Sequence, residues 1–285
     1  ALVLAAAVPL LLGRRTSPAA PGEAVPWGRV LVLSAGVGAI LVAGVQADLG
    51  RALACGTLGL ALLAGALRLE RRPGPRLLPP RPLDLRRPWG AGYVMVLALS
   101  TATVSFTVYG PLLMETLFDA TPLVAGLMIA LESISWTLAA IVFAGAGARL
   151  EPVLIRGGAL AITLGILGLA WRMPLGPVLA LAPSAILLGA GFGACWAFVM
   201  RRVVESVPTG ERERAASSLP TIQLLGYASG AAASGLVANL TGLAADAPRA
   251  VVELTGFWVF AAFLPLAALG VVAAWRLADS QAGAR

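Results

Sequence analysis

The chain has 285 residues, 59% of them hydrophobic and only 12% charged, with a mean hydropathy of +0.87. Soluble domains carry about 45–50% apolar and about 25% charged residues, so an ordinary water-soluble fold is excluded; intrinsic disorder, which needs low hydrophobicity, is excluded with it. The expected class is all-α, a polytopic membrane helix bundle, in which the net charge of +7 reflects the positive bias of membrane loops rather than nucleic-acid binding.

A helix crossing the hydrocarbon takes about 20 apolar residues. Residues 1–12 (ALVLAAAVPLLL) form a short first run closed by Arg14 and Arg15. Their charges follow the apolar stretch instead of preceding it, which argues against a signal peptide. The run reads as the tail of a truncated helix, with 1–26 completed by a cytoplasmic loop and an N-terminal half missing. Residues 27–67 form a two-helix hairpin with apolar runs at 27–47 and 50–67. The linker 68–92 is rich in Arg and Pro; its prolines oppose a regular helix, and its arginines suit anionic lipid headgroups. Residues 93–285 hold a six-helix bundle and a tail, with runs at 93–114, 122–146, 153–171, 177–200, 215–240 and 254–275.

All 21 basic residues are arginine, and 18 of them fall on one side of these spans. That side takes Arg14, Arg15 and Arg29, the seven between 68 and 87, Arg149, Arg156, Arg201, Arg202, Arg212, Arg214, Arg276 and Arg285. The other side takes Arg51, Arg172 and Arg249. The positive-inside rule makes the Arg-rich side, and the C-terminus with it, cytoplasmic. The expected location is the cell membrane, as a multi-pass protein of the bacterial inner membrane.

Polar side chains inside a bilayer face the bundle or a water-filled cavity. Span 93–114 carries Ser100, Thr101, Thr103, Ser105, Thr107 and Tyr109; span 122–146 carries Glu132, Ser133, Ser135, Trp136 and Thr137; span 215–240 carries Ser217, Ser218, Thr221, Gln223, Tyr227, Ser229, Ser234 and Asn239. These three are expected to face a cavity. Spans 153–171 and 254–275 are nearly free of polar residues and are expected to face lipid.

Glu132 is the one acid of 14 that falls near the middle of a span. A charge there costs about 2.5–3.5 kcal/mol on insertion scales. Two readings stand: a neutral glutamic acid hydrogen-bonded to a neighbouring helix, or a proton carrier or contact for a cationic substrate. No Arg is expected in the interior of any span. The run Gly189-Ala190-Gly191-Phe192-Gly193 has GxGxG spacing, which suits close helix contact and not dinucleotide binding. With no His in the chain, and with Cys55 and Cys195 both inside apolar runs as buried hydrophobes, no metal and no cofactor is expected.

The two-helix hairpin, the Arg-rich linker and the six-helix block together resemble the C-terminal half of a major facilitator superfamily transporter, of the 14-helix drug:proton antiporter branch. The stretch RAASSLPTIQLLGYASGAAASGLV from Arg214 is similar to a late helix of that branch, with Ser217 or Ser218, Thr221, Gln223, Gly226 and Gly230 as the matches. The glycine run followed by RRVVESVPTGERERA resembles the preceding helix and loop. GARLEPVLIRGG resembles a degenerate copy of the superfamily's cytoplasmic Gly/Asp/Arg loop and lacks its Asp-Arg pair. The resemblance implies inverted three-helix repeats in which 122–146 and 215–240 are counterparts. It also implies that the missing N-terminal half holds the branch's antiporter motif.

The expected function is proton-coupled secondary transport: efflux of multiple drugs or of a metabolite by alternating access. The substrate cavity would be lined by Thr101, Ser105, Tyr109, Trp136, Trp196, Gln223 and Tyr227, with Glu132 coupling protons or contacting substrate. The partners would be a hydrophobic or cationic small molecule, protons, the lipid bilayer and the missing half, and no nucleic acid. The alternatives are a non-transporting structural membrane fragment or half of a split permease. An intramembrane enzyme would need a nucleophile or metal set that these residues do not offer.

Overall fold

A computed structural model describes residues 26–46, 48–70, 72, 76–244 and 246–279. The first apolar run, Arg14, Arg15 and Arg285 lie outside the described residues. Among those described there is no strand. The helices are α1 (Trp27–Gly44), α2 (Leu49–Leu69), α3 (Pro88–Phe118), α4 (Pro122–Phe143), α5 (Glu151–Arg172), α6 (Ala182–Ser206), α7 (Arg212–Leu240), α8 (Arg249–Ala261) and α9 (Leu264–Asp279). Short 3-10 turns at Val178–Leu181 and Thr209–Glu211 lead into α6 and α7.

Seven spans are long and apolar enough to cross a membrane, counting α8 with α9 as one. The expected eighth, α7, has the length at 29 residues but is diluted by its hydroxyl, amide and small residues. The chain is a multi-pass helical bundle.

Local chemistry sets the boundaries. Asp48 caps α2 by accepting from Arg51 N at 2.8 Å, and Thr121 caps α4 by accepting from Val124 N at 3.4 Å. The linker is shorter than expected and ends at Arg87, because Pro88 opens α3 at the one helical position where a missing N–H costs nothing. The span expected at 254–275 is broken instead at Ala262–Phe263, where Pro265 denies a donor to the end of α8. Its N-terminal part starts earlier than expected, at Arg249. Of the two cysteines, Cys195 is buried as expected and Cys55 is only half-buried.

The centre of the bundle is α3, with Tyr93, Phe106, Leu113 and Met114 wholly buried. It packs on α7, α9 and α6, while α5 packs on α6 and α9. The outward faces of α5 and α8 expose Leu160, Leu164, Trp171 and Trp258, and α4 likewise exposes Leu123, Leu127, Leu138 and Ile141. The hairpin docks on α7 by backbone contact: a Cβ on Gly235 would lie 2.4 Å from Gly44 O, and Asn239 Nδ2 donates to Gln46 O at 2.9 Å.

Candidate functional site

The glycine run of α6 places the elements around Glu132. Successive glycines two apart on a helix point to opposite sides, 200° around the axis. A Cβ on Gly189 would meet Glu132 O at 1.9 Å, and one on Gly193 would meet Trp136 O at 2.1 Å, so both seat α4. A Cβ on Gly191 would meet Gly158 O at 2.7 Å, so that glycine seats α5. Close helix contact is therefore the role of the GxGxG run. One helix is flanked at backbone distance on two sides.

This approach sets two aromatic rings face to face. Trp136 stacks on Phe192 with centroids 5.0 Å apart and planes 8° from parallel, and Trp196 lies 6.5 Å from Trp136. Glu132, one turn before Trp136 and midway along α4, is half-buried. Among the described residues no side chain donates to its carboxyl and no cation pairs with it. Of the two readings of this acid, the helix-to-helix hydrogen bond finds no partner.

On α7, Gln223 Nε2 donates to Tyr227 Oη at 3.2 Å, the one-turn spacing expected for a shared face. Pro220 sits inside α7 one turn before this pair and removes a backbone donor.

Other expected lining residues are committed elsewhere. Ser105 is wholly buried, its Oγ 2.7 Å from Ser234 Oγ, and joins α3 to α7. Thr101 is buried and bonds back to Leu97 O at 2.7 Å. Its carbonyl faces the glycine seam of α7, where a Cβ on Gly230 would come within 2.2 Å. Tyr109 is half-buried on α3 near Pro111. The structure thus sets Trp136 against Trp196 one turn from Glu132, pairs Gln223 with Tyr227 on α7, and leaves Ser105 and Thr101 in the helix interface.

Two features went unread in the sequence. Phe192 completes the aromatic stack, but between two glycines it reads only as a packing residue. The other is a charge cluster at the Arg-rich end. Because α6 runs to Ser206, beyond the expected 200, Arg201 and Arg202 lie in its last turns instead of in a loop. Arg202 Nε donates to Glu151 Oε1 at 2.6 Å and its Nη1 to the carbonyls of Leu277 and Ala278 at 2.9 and 2.8 Å. Arg201 also pairs with Glu151. Arg156, from the degenerate loop, pairs with Asp279 and lies over Trp275 at 5.9 Å, whereas Arg149 is exposed.

No family model matches the chain. Two curated proteins of Mycobacterium tuberculosis, from strains CDC 1551 / Oshkosh and H37Rv and each named "Probable multidrug-efflux transporter", are 26% identical to it over 96% of its length. The chain spans 59% of the length of these relatives.

Proposed function

We propose that this chain forms the C-terminal half of a proton-coupled multidrug or metabolite exporter of major facilitator type, working by alternating access. The observation that carries the proposal is Glu132: a mid-membrane acid, half-buried, with no hydrogen-bond donor or cation to hold it among the described residues. An acid that expensive is retained where it exchanges a proton or meets a cationic ligand. Trp136 and Trp196 beside it, with Phe192 buried behind Trp136, supply ring faces that attract cations and pack on apolar molecules without demanding one shape. Gln223 and Tyr227 supply the few directional polar groups. The relatives named as efflux transporters support the same reading.

In this mechanism the cavity opens in turn to the two sides of the cell membrane, with the Arg-rich end and the C-terminus cytoplasmic. Glu132 takes a proton from one side and releases it to the other. Bound substrate and bound proton compete for the same carboxylate.

The test is Glu132→Gln in proteoliposomes of the intact transporter under an imposed pH gradient. Loss of gradient-driven export with normal membrane insertion is the expected result. Retained gradient-driven transport would overturn the proposal.

A further inference from the structure

The linker between α2 and α3 folds back on the end of α2 and forms with it a half-open cavity of about 730 Å³. That is the size range of small-molecule sites, about 300–1,000 Å³. Leu67, Leu83 and the prolines 79, 80 and 82 wall it, and four charged side chains line it: Glu70, Arg76, Arg81 and Asp84.

The two acids are already satisfied. Glu70 Oε2 accepts from the backbone N–H of Leu77 and Leu78 at 2.9 and 3.0 Å, and its Oε1 faces Arg29 at 3.5 Å. Asp84 accepts from Arg86 N at 3.0 Å and lies 3.6 Å from Arg87 Nε. The two arginines are not satisfied: among the described residues no carboxylate or carbonyl pairs with the guanidinium of Arg76 or Arg81. The cavity therefore presents two uncommitted cations between apolar walls.

Its geometry is also held fixed. Arg81 has a φ of 54°, in the left-handed region that non-glycine residues seldom occupy. Such backbone persists only where its surroundings over-determine it, which is common at ligand clamps. Here Trp89 Nε1 donates to Pro80 O at 3.0 Å and Asp84 N donates to Arg81 O at 3.2 Å, pinning the turn on both sides. The linker is also wedged on α3, since a Cβ on Gly90 would meet Asp84 O at 2.2 Å.

We infer that this cavity binds a phosphate-bearing anion, with Arg76 and Arg81 as its ligands. Guanidinium forks match phosphate oxygens in charge and geometry. The site sits where a membrane-length helix ends, at the depth of lipid headgroups, and its apolar walls suit the glycerol and first methylenes of an anionic phospholipid. A free phosphate compound would offer the same anionic group.

The test is calorimetric titration of the purified chain in detergent with dioctanoyl-phosphatidylglycerol, dioctanoyl-phosphatidylcholine and inorganic phosphate. Saturable binding of phosphatidylglycerol is expected, about tenfold tighter than phosphatidylcholine. The double variant Arg76→Gln/Arg81→Gln is expected to lose about tenfold in that affinity. The variant Arg72→Gln/Arg86→Gln removes the same charge from the same linker outside the cavity and should bind as the parent does. Displacement of the lipid by millimolar inorganic phosphate assigns the site to a free phosphate compound; no displacement assigns it to lipid. Equal binding of the two lipids, or equal losses in the two double variants, would overturn the inference. Unchanged helical circular dichroism and a single gel-filtration peak show that each variant is folded.

Discussion

Arg202 Nε and Glu151 Oε1 are 2.6 Å apart, and each side chain is only 2% exposed. The pair ties three helices together, because Arg202 also donates to the last carbonyls of α9. Removing one partner of a buried ion pair leaves an uncompensated charge and costs about 3–5 kcal/mol, whereas replacing both with apolar groups is often neutral. Glu151→Leu, which takes this carboxylate away from the buried Arg202 guanidinium, is therefore expected to destabilise the bundle by that amount in detergent unfolding titrations, and Arg202→Met by less because Arg201 still pairs with Glu151. Arg202→Met/Glu151→Leu should recover most of the loss. Additive losses would show that the two residues act separately.

The glycines of α6 predict an asymmetric response. Gly189→Ala and Gly193→Ala each place a methyl inside the backbone of α4, at 1.9 Å from Glu132 O and 2.1 Å from Trp136 O. Overpacking of this kind costs about 1–3 kcal/mol, and it should lower the thermal midpoint and weaken the Trp136–Phe192 stack seen in near-ultraviolet dichroism. Gly191→Ala pushes on α5 instead and should lower the midpoint with less change in that signal. Gly126→Ala and Gly157→Ala meet nothing within 4 Å and should be neutral or stabilising by up to about 1 kcal/mol.

Much of this was legible in the residues because a bilayer enforces a simple grammar. Apolar runs locate the helices, and the linker prolines mark the hairpin boundary. The failures have local causes. Pro88 looked like a helix breaker, but at the first position of α3 it is a starter. The arginines at 201 and 202 looked like the end of a span, but buried partners on α5 and α9 let the helix continue. For the site, periodicity put Gln223 and Tyr227 on one face, and expense singled out Glu132. Which hydroxyls face open space was not legible: Ser105 and Tyr109 look alike in sequence, and only packing against Ser234 separates them.

Ser105 and Ser234 allow that packing to be measured. Both hydroxyls are buried 2.7 Å apart, and Ser234 also donates to Gly230 O at 2.7 Å. Interhelical hydrogen bonds in membranes average about 0.6 kcal/mol, with a maximum near 1.7 kcal/mol, because the separated helices find other partners. A double-mutant cycle with Ser105→Ala and Ser234→Ala should therefore give a coupling of about 0.5–1.5 kcal/mol, while substrate transport is unchanged in both single variants. A coupling near zero would place the two hydroxyls apart, and a transport defect in Ser105→Ala would return that residue to the cavity.

Trp136 tests the aromatic part of the proposed site. Its ring stacks on Phe192 and is half-buried beside Glu132, whereas Trp171 on α5 is 63% exposed on the outer face. A cation over an indole face gains about 0.5–2 kcal/mol, and 1.4 kcal/mol is about tenfold in affinity. Trp136→Leu should therefore weaken binding of a lipophilic cation such as tetraphenylphosphonium about five- to tenfold, measured by equilibrium dialysis in detergent. Trp171→Leu removes a tryptophan of the same type from the outer face of α5 and should leave that affinity unchanged. Glu132→Gln should add a further loss for the cation and little for a neutral apolar ligand of the same size. Equal effects of Trp136→Leu and Trp171→Leu would mean that the probe partitions onto the bundle surface rather than onto the ring face of Trp136.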